Sequence, residues 1–485
     1  MHLTLDGQGT LTDQLSRALR EAIRSGRAAP GLRLPASRSL AATLGVSRNV
    51  VMGAFAQLTA EGYLEARQGS GTRVAPGLAP LAPPHRPSAP VGPSVQDPVR
   101  LSALGRRLRA SPSSAPPPAL AAPATICDFR YGIVPFTGPA RQAWSRRLGR
   151  RARGAGAAAA APRQGDRRLR RLIADMLRFS RGLPVAGEAV VITQGVQEAF
   201  DLCARLLLGP EQVTVLEDPH YRPVRAIAAA HGAEVIGVPA DAAGLDPEHL
   251  PAIDAALAYV TPSHQFPLGG VLAAPRRQRL LSWARQHGAW VFEDDYDSHF
   301  RYDTPPLESL AAMDRSRVIY AGSFSKTLSP GLRVGYLVVP DARAEPLRRL
   351  RALTGSGVPL VTQQALADFI DAGDFGRHLR RLGRDYARRR EAILQATADH
   401  LGDRVEVVGA RGGVHVVLRC HEHAAADAHG VTTRAAAAGV RISSIEALYL
   451  QPRPDQPLEL LLSYAAPDER AIRAGIAALA GCLRT

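Results

Sequence analysis

The residue whose type stands out in this sequence is Lys326, in the stretch SFSKTL. It is the only lysine among the 60 lysine and arginine residues of the 485-residue chain. Arginine replaces lysine well as a surface cation, but its guanidinium stays protonated and does not serve as an amine nucleophile. Schiff-base formation with an aldehyde needs an amine that can lose its proton. The composition therefore marks Lys326 as a candidate nucleophile, the alternative being that one lysine survived by chance.

Polar residues around this lysine suit a phosphorylated aldehyde. Ser323 and Arg333 offer a hydroxyl and a guanidinium that can anchor a phosphate. The stretch ITQGVQEAF predicts a strand, a glycine turn and a helix start, where the N–H groups of Gly195, Val196 and Gln197 form a phosphate cradle. Upstream of the lysine, EDDYDSHFRYD supplies carboxylates beside a tyrosine, and a buried carboxylate can keep a pyridine nitrogen protonated. Together these residues indicate pyridoxal 5′-phosphate as a cofactor.

Two polar clusters raise the alternative of a metal site. Adjacent residues such as the run CHEH at 420–423 rarely converge on one ion, so we interpret it as a solvated loop after a strand. The aspartates of EDDYD, at 293–297, could hold magnesium, but no nucleotide-binding glycine loop precedes them. We predict no metal.

The elements that must position these residues alternate in type. Apolar strand-like runs (AVVIT, VTVLE, LAYVT, AWVFED, RVIYAG, RVGYLVV) alternate with helix-like stretches, which predicts a mostly parallel sheet with helices on both faces. From about residue 360, a long helical stretch leads to shorter strands. These predict a small C-terminal α+β subdomain.

The first 75 residues predict a winged helix-turn-helix. An apolar stripe in LTDQLSRALREAIR indicates one helix, and SRSLAATLGVSRNVV indicates two more around a glycine turn. YLEARQGSGTRV then alternates like a two-stranded wing. Candidate DNA contacts are Arg38, Arg48 and Asn49 at the helix starts and Gln68 and Ser70 at the wing tip. A three-helix packing module that does not bind DNA would explain the apolar spacing equally well.

Charge and composition divide the chain into three parts. Residues 1–75 form the compact module, 76–125 are a Pro- and Ala-rich segment without helical or strand periodicity that we interpret as an extended linker, and 126–485 form the large domain. Nearly all of the net charge of +16 arises in the first 180 residues, which favours a polyanionic partner near that end. No signal peptide or membrane-spanning run is evident, so we expect a cytoplasmic protein.

The motifs resemble known families. RLPASRSLAATLGVSRNVV with LTAEGYLEARQGSGTRV is similar to the winged helix-turn-helix of the GntR family of bacterial regulators, although Val50 and Met52 stand where members often carry Thr and Arg. Residues 126–480 resemble the fold-type I aminotransferases. EDPHY, VTPSHQFPLGG, EDDYDSHFRYD and SFSKTLSPGLRVGYLVVP resemble the MocR/GabR regulators, which fuse the two. The resemblance implies a multidomain protein, a winged helix-turn-helix joined to an α/β transferase fold that binds pyridoxal phosphate.

The resemblance also implies roles for individual residues. Lys326 would form the Schiff base with pyridoxal phosphate, Asp294 would bind the pyridine nitrogen, and Tyr296 would approach the phenolic oxygen. The remaining implied cofactor contacts are Tyr221 stacking on the ring, Ser323, Arg333 and the turn of Gly195, Val196 and Gln197 at the phosphate, and His264 or Gln265 in place of an asparagine of the enzymes.

One position departs from the aminotransferase pattern. In LELLLSYA, enzymes that clamp the α-carboxylate of an amino acid have an arginine two residues before the serine, where this chain has Leu461. A substrate must be held at two ends before proton transfer is productive. We therefore expect inefficient transamination of ordinary amino acids.

We expect a ligand-responsive transcription regulator. Its winged helix would bind double-stranded operator DNA, its cofactor on Lys326 would sense an amine or amino-acid-like effector, and a head-to-tail homodimer, as the resemblance implies, would bring two winged helices to paired half-sites. One alternative is a sensor of pyridoxal phosphate itself that controls vitamin B6 supply. Another is an active aminotransferase with a vestigial DNA module.

Overall fold

The computed structural model describes residues 3–67, 71–78, 101–110, 125–154, 162–302, 307–355 and 357–484. The chain divides into two compact units, Met1–Arg100 and Leu101–Thr485, and each is considered by itself. In these described ranges, no helix combines the length and the apolarity that crossing a membrane requires.

The first unit is a winged helix-turn-helix. Its elements are α1 (Leu11–Arg24), α2 (Ser37–Leu44), α3 (Arg48–Ala60), β1 (Leu64–Arg67) and β2 (Gly71–Val74). The two strands pair antiparallel as the predicted wing. Its tip, residues 68–70, lies outside the described residues, so the candidate contacts Gln68 and Ser70 have no structural account.

Local sequence signals explain where these helices begin and end. The Ser47 hydroxyl accepts a hydrogen bond from the Val50 amide and caps α3, while Gly45 ends α2 in the left-handed conformation with φ of 66°. Ser37 is the first helical residue of α2 and follows the N-cap, Ala36. In α1, Leu15, Leu19 and Ile23 are buried, whereas Leu11 remains 46% exposed.

A short helix, α4 (Ala103–Ala110), occurs where the sequence indicated an extended linker. None of its residues is buried, and its middle contains Gly105, a residue of low helix propensity. The Ser102 hydroxyl accepts a hydrogen bond from the Gly105 amide, and contacts with the large unit hold the helix in place. The sequence of residues 103–110 alone therefore gives only a weak indication of this helix. The boundaries at 75 and 125 stay predictions.

A mostly parallel sheet forms the centre of the second unit. The strands of this unit are β3 (Cys127–Asp128), β4 (Val190–Thr193), β5 (Val213–Asp218), β6 (Glu234–Asp241), β7 (Gly244–Leu245), β8 (Leu257–Val260), β9 (Trp290–Asp295), β10 (Val318–Ser323), β11 (Gly335–Val338), β12 (Val405–Val408), β13 (His415–Ala424), β14 (Val440–Arg441), β15 (Ser443–Ser444) and β16 (Pro457–Ser463). The central sheet has the order β4, β11, β10, β9, β8, β5, β6, β7. From β10 to β6 neighbouring strands are parallel, whereas β11 is antiparallel to β10 and β4, and β7 to β6. The predicted sheet type is confirmed.

Helices cover both faces of this sheet, also as predicted. They are α5 (Gly138–Arg153), α6 (Arg167–Arg181), α7 (Val196–Leu207), α8 (Arg222–His231), α9 (Ala274–Gln286), α10 (Leu310–Met313), α11 (Asp341–Thr354), α12 (Leu360–Asp371), α13 (Asp374–His400), α14 (Ala428–Ala437) and α15 (Glu469–Cys482). Successive strand residues point to opposite faces. Val291 of β9 therefore packs in the core beside α5, α6, α9 and α12, and the next residue, Phe292, packs beside α7 and α8.

The C-terminal part is the predicted α+β subdomain. Strands β12, β13, β16 and β15 form an antiparallel sheet, and residues of α13, α14 and α15 share its core. Strand β3 pairs in parallel with β14, and Phe129 is buried in the same core. The segment after β3 therefore runs from this subdomain toward the central sheet.

Candidate cofactor pocket and DNA-binding surface

A cavity of about 190 Å³ lies at the carboxyl ends of β9 and β10, beside the start of α7. Ligands of open α/β sheets bind at this edge. Nine of the ten residues predicted to contact a cofactor line the cavity: Gly195, Val196, Gln197, Tyr221, Asp294, Tyr296, Ser323, Lys326 and Arg333. Their individual roles stay predictions, but the fold brings them together.

Lys326 follows β10 and is half-buried in the cavity wall. Its Nζ lies 3.6 Å from the centre of the Tyr131 ring. Burial lowers the pKa of Lys326 to about 8, although Asp297 and Asp294 act in the opposite direction. A larger fraction of this amine is therefore neutral at physiological pH than of an exposed lysine.

Asp294, near the end of β9, reaches the cavity with one free oxygen. Its Oδ2 accepts a hydrogen bond of 2.5 Å from the Tyr259 hydroxyl, while its buried Oδ1 has no hydrogen-bond partner among the residues that the structure describes. Burial raises the pKa of Asp294 to about 7. A protonated pyridine nitrogen would satisfy Oδ1 and stabilise the carboxylate. This orphaned atom is the observation that best fits pyridoxal phosphate to the cavity.

The neighbouring aspartates have other partners. Asp295 points to the opposite side of β9, where Tyr320 donates a hydrogen bond to it and Arg181 Nε lies 2.8 Å from Oδ2. Burial alone would raise the pKa of Asp295, but Arg181 and the hydrogen bonds from Ser298 and Tyr320 hold it below its ordinary value. The carboxylates of this run therefore do not converge on one point.

The phosphate end of the cavity is formed by a glycine turn and a loop. Gly195 has φ of 91° and precedes the first residue of α7, so the amides at this helix start face the cavity. A Cβ on Gly335 of β11 would lie 2.6 Å from the Cα of Gly195, so only glycine lets the strand approach the turn this closely. Ser323 and Arg333 line the same cavity. Helix amides, a hydroxyl and a guanidinium suit a phosphate.

Aromatic side chains form the remaining walls, and sequence reasoning did not select several of them. Tyr131 lies 4.9 Å from Phe266 between ring centres, and Phe266 lies 5.8 Å from Tyr221. The hydroxyl of Tyr259 donates a hydrogen bond to Asp294. A tyrosine in a buried strand predicts a partner of this kind, because its buried hydroxyl must form a hydrogen bond. Tyr131 follows β3 in a segment that no recognised motif covers, so the sequence offers no comparable signal for it.

His264 is the predicted contact that the fold does not bring to the cavity. Its Nδ1 lies 3.0 Å from the Tyr296 hydroxyl oxygen and 3.0 Å from Asp297 Oδ2, and Tyr296 donates to its backbone carbonyl. These hydrogen bonds hold the ring behind Tyr296, while Phe266 lines the cavity. His264, Asp297 and His415 form a buried group whose possible metal-ligand atoms lie within 4.8 Å of one another. The Nε2 of His415 lies 2.9 Å from the Pro267 carbonyl oxygen.

Leu461 lies on β16 as part of an apolar cluster. It is 4% exposed, pairs with Val417 across the sheet, and packs with Phe266 and Tyr296. Among the described residues that line the cavity, Lys326 and Arg333 are the cations. The position at which the resemblance to aminotransferases implies a carboxylate clamp is thus filled by hydrocarbon.

The candidate DNA contacts of the first unit are exposed. Arg38 lies in the first turn of α2, and Arg48 and Asn49 begin α3. Arg48 Nε lies 3.4 Å from the Ser37 hydroxyl, so this contact joins the two helix starts. Exposed cations at helix N-termini suit phosphate contacts, and an asparagine can read a base edge.

Comparisons with known proteins match both units. Residues 11–74 match the gntR family of bacterial regulatory proteins, and residues 137–479 match aminotransferase class I and II. The chain is 35% identical to the probable rhizopine catabolism regulatory protein MocR of Rhizobium meliloti, over 98% of this chain and 94% of the relative. It is 37% identical to the HTH-type pyridoxine biosynthesis transcriptional regulator PdxR of Corynebacterium glutamicum, over 85% of this chain and 83% of the relative.

A solved structure resembles the second unit. The α-aminoadipate aminotransferase LysN of Thermus thermophilus, complexed with N-(5′-phosphopyridoxyl)-L-leucine, is 28% identical with a TM-score of 0.65 over 73% of this chain and 92% of that one. Pyridoxal 5′-phosphate is accordingly the cofactor of the large domain. With these matches in this order, the chain belongs to the MocR/GabR-type transcriptional regulators, in which a GntR-type winged helix-turn-helix is fused to a fold-type I aminotransferase-like domain.

Proposed function

We propose that the protein is a transcription regulator whose affinity for operator DNA depends on an amine effector sensed by pyridoxal phosphate on Lys326. The observation that carries this proposal is the composition of the cavity. It has the amine, the free Asp294 oxygen and the phosphate cradle that the cofactor needs, yet apolar Leu461 lies where a substrate carboxylate would be clamped. Such a pocket suits binding and sensing better than turnover.

Each residue has a distinct task in this proposal. Lys326 supplies the neutral amine that bonds to the cofactor aldehyde, and its lowered pKa favours that state. Asp294 accepts the pyridinium N–H, which makes the ring an electron-withdrawing group. Tyr221 and Tyr296 hold the ring in position, while Ser323, Arg333 and the start of α7 bind the phosphate.

The effector is an amine or an amino-acid-like compound. Its amine would replace the amine of Lys326 on the cofactor aldehyde carbon and free the lysine. A compound without an amine cannot make this exchange. The aromatic walls formed by Tyr131, Phe266 and Tyr221 favour an effector with an apolar body. Because Leu461 offers no charge, we expect little selection for an α-carboxylate.

The winged helix acts on double-stranded DNA in the cytoplasm, in association with the bacterial nucleoid. Arg38, Arg48 and Asn49 are the proposed contacts. A head-to-tail homodimer would present two winged helices to paired half-sites, and operator symmetry would mirror the symmetry of the protein.

A second candidate function is sensing of pyridoxal phosphate alone. Its support is the similarity to PdxR, named as a regulator of pyridoxine biosynthesis. In this case cofactor occupancy would change DNA affinity and amines would add nothing. Catalysis by an active aminotransferase finds less support, because apolar Leu461, which packs with the cavity-lining residues Phe266 and Tyr296, stands where the resemblance implies a carboxylate clamp.

Cofactor trapping tests the chemistry of the proposal. Purified protein incubated with pyridoxal phosphate should show a visible absorption band, and borohydride should fix the cofactor to the peptide that contains Lys326. Since no other lysine exists in the chain, Lys326→Ala should leave at most the α-amino group to react. Protein that stays colourless, or label found elsewhere, would contradict the proposal. Addition of amines to the coloured protein separates the two candidate functions, because only an effector sensor changes its DNA affinity further.

A further inference from the structure

Helix α4, near the start of the second unit, contacts α8 of the same unit through the side chain of Arg107. Its Nε donates a hydrogen bond of 2.9 Å to the carbonyl of Ala230, and its Nη2 donates one of 3.1 Å to the carbonyl of His231. These are the last carbonyls of α8, which lack partners within the helix. The guanidinium also places positive charge at the negative end of the helix dipole. Arg107 therefore caps α8 by a two-point contact.

A glycine makes room for this contact. Gly232, directly after α8, has φ of 91°, and a Cβ there would lie 2.9 Å from Arg107 Cζ. Arg107 is also less exposed than the flanking arginines of α4, Arg106 and Arg109. Lower exposure and two hydrogen bonds to carbonyls of α8 therefore distinguish Arg107 from Arg106 and Arg109.

The opposite end of α8 belongs to the cofactor pocket. Tyr221 is the residue that precedes the helix at its N-terminus, and its ring lines the cavity. Ten residues of α helix span about 15 Å. The end of α8 that Arg107 caps is thus one short, stiff helix away from the residue proposed to stack on the cofactor.

Helix α7 reaches the same joint from the phosphate end of the pocket. Its first residues, Val196 and Gln197, line the cavity. Asp201, in its second turn, has Oδ1 3.1 Å from Nε2 of His231, the last residue of α8. Both helices that begin at the cavity are therefore connected next to the carbonyls that Arg107 binds.

We propose that α8 transmits the state of the cofactor pocket to the linker and that Arg107 is the positioning residue through which the linker receives it. Residues 79–100 join α4 to the winged helix in sequence, so a shift of α8 displaces the point from which the DNA-binding unit is tethered. Packed elements and hydrogen bonds of this kind can carry energetic coupling between two sites, and α8 with Arg107 provides both. The inference rests on the proposed function, because it requires that the ligand changes DNA affinity.

The test compares Arg107→Ala with Arg109→Ala, which removes the same charge from an exposed position on the same helix. The ligand is pyridoxal phosphate, and the DNA is a duplex selected in vitro with the full-length protein. The ratio of DNA Kd values without and with the cofactor measures the coupling, which typically spans roughly 5- to 150-fold in allosteric proteins. Arg109→Ala should keep the wild-type ratio. In Arg107→Ala the ratio should fall to within about twofold of one, with cofactor affinity and cofactor-free DNA affinity unchanged.

Reciprocal linkage gives a readout that a merely structural role would not move. In the wild type, DNA should change the Kd for pyridoxal phosphate by the same factor, and in Arg107→Ala this effect should disappear. Should Arg107→Ala fold poorly by circular dichroism, Arg107→Lys keeps the cation but not the two-point contact and should show a reduced ratio. A full ratio in a folded Arg107 variant overturns the inference alone. A wild-type ratio of one, both with the cofactor alone and after an amine series is added to the loaded protein, overturns the proposed function together with it.

Discussion

At the scale of single residues, burial in the cavity lowers the pKa of an amine and raises the pKa of a carboxyl group, so both move toward physiological pH. Burial lowers the pKa of Lys326 to about 8 and raises that of Asp294 to about 7. Desolvation disfavours the charged form of each group, which explains the opposite signs. The pocket therefore holds a lysine amine that is partly neutral and an aspartate carboxyl group that a positively charged ring nitrogen would return to its ionised form.

The lowered pKa of Lys326 predicts how cofactor capture depends on pH. The protonated amine cannot attack the aldehyde, so the rate should rise as pH increases through about 8. Stopped-flow absorbance of cofactor-free protein mixed with pyridoxal phosphate measures this profile, with N-α-acetyl-lysine as the reference amine. A midpoint near 10.5, the ordinary lysine value, would show that the amine is not desolvated.

The free oxygen of Asp294 predicts the cost of its removal. Asp294→Asn keeps the shape but loses the charged acceptor for the pyridine nitrogen. A hydrogen bond to a charged group contributes about 1.5–3 kcal/mol, so the Kd for pyridoxal phosphate should rise roughly 10- to 100-fold. Asp455→Asn, at an exposed position, is the control. Equal cofactor affinity in the two variants would exclude the role of Asp294.

The sequence predicted some residues of this pocket and missed others. Lys326 stands out because arginine cannot replace its amine. Local chemistry and the resemblance to fold-type I aminotransferases supplied the other predicted cofactor contacts that line the cavity, and their roles stay predictions. Tyr131 and Phe266 emerge only from the fold, since they reach the cavity from a segment paired with the C-terminal subdomain and from a loop before α9. His264 is a predicted contact that does not line the cavity. Asp297 and Tyr296 hold its side chain, and these tertiary contacts are not evident from the sequence.

At the scale of elements, close approach of β11 to the glycine turn shapes the phosphate end. Gly335→Ala would place a Cβ 2.6 Å from Gly195 Cα and push the turn away. We expect a loss of stability of about 1–3 kcal/mol and weaker binding of pyridoxal phosphate. Thermal unfolding and cofactor titration measure the two effects. Gly331→Ala, whose Cβ would meet nothing closer than 3.7 Å, should change neither, and cofactor binding by Gly335→Ala at wild-type strength would contradict this description.

Element types were predictable where the periodicity was strong. The apolar runs before the motifs form β4, β5, β8, β9, β10 and β11, and both faces of the sheet carry helices as expected. The antiparallel direction of β11 was not evident, because a strand's own residues do not specify its direction. Helix α4 was missed for a related reason: Arg107 and its partners on α8 are more than one hundred residues apart in sequence.

At the scale of the whole molecule, two units with separate chemistry share one chain. The first 180 residues carry nearly all of the excess positive charge, and the winged helix presents exposed Arg38, Arg48 and Asn49. The large unit carries the cofactor pocket. A ligand can regulate DNA binding only if its affinity differs between two states of the protein, and α8 with Arg107 is the proposed route between the pocket and the linker.

Removal of one exposed cation should show how the winged helix binds DNA. Arg48→Ala should weaken binding and, if Arg48 contacts a phosphate, reduce the slope of log affinity against log salt by about one. Fluorescence anisotropy across a salt series measures this slope. Arg24→Ala, an exposed position at the far end of α1, is the charge-matched control. Identical affinities and identical slopes for the two variants would show that Arg48 does not contact the DNA.

The measurement that tests the central claim most directly is the DNA affinity of the full-length protein in three states: cofactor-free, loaded with pyridoxal phosphate, and loaded in the presence of an amine series. The account predicts a change in Kd of roughly 5- to 150-fold between states in the wild type and none in Lys326→Ala, which keeps the winged helix but loses the amine. A wild-type affinity that is the same in all three states, or a Lys326→Ala variant that responds as the wild type does, would contradict the account.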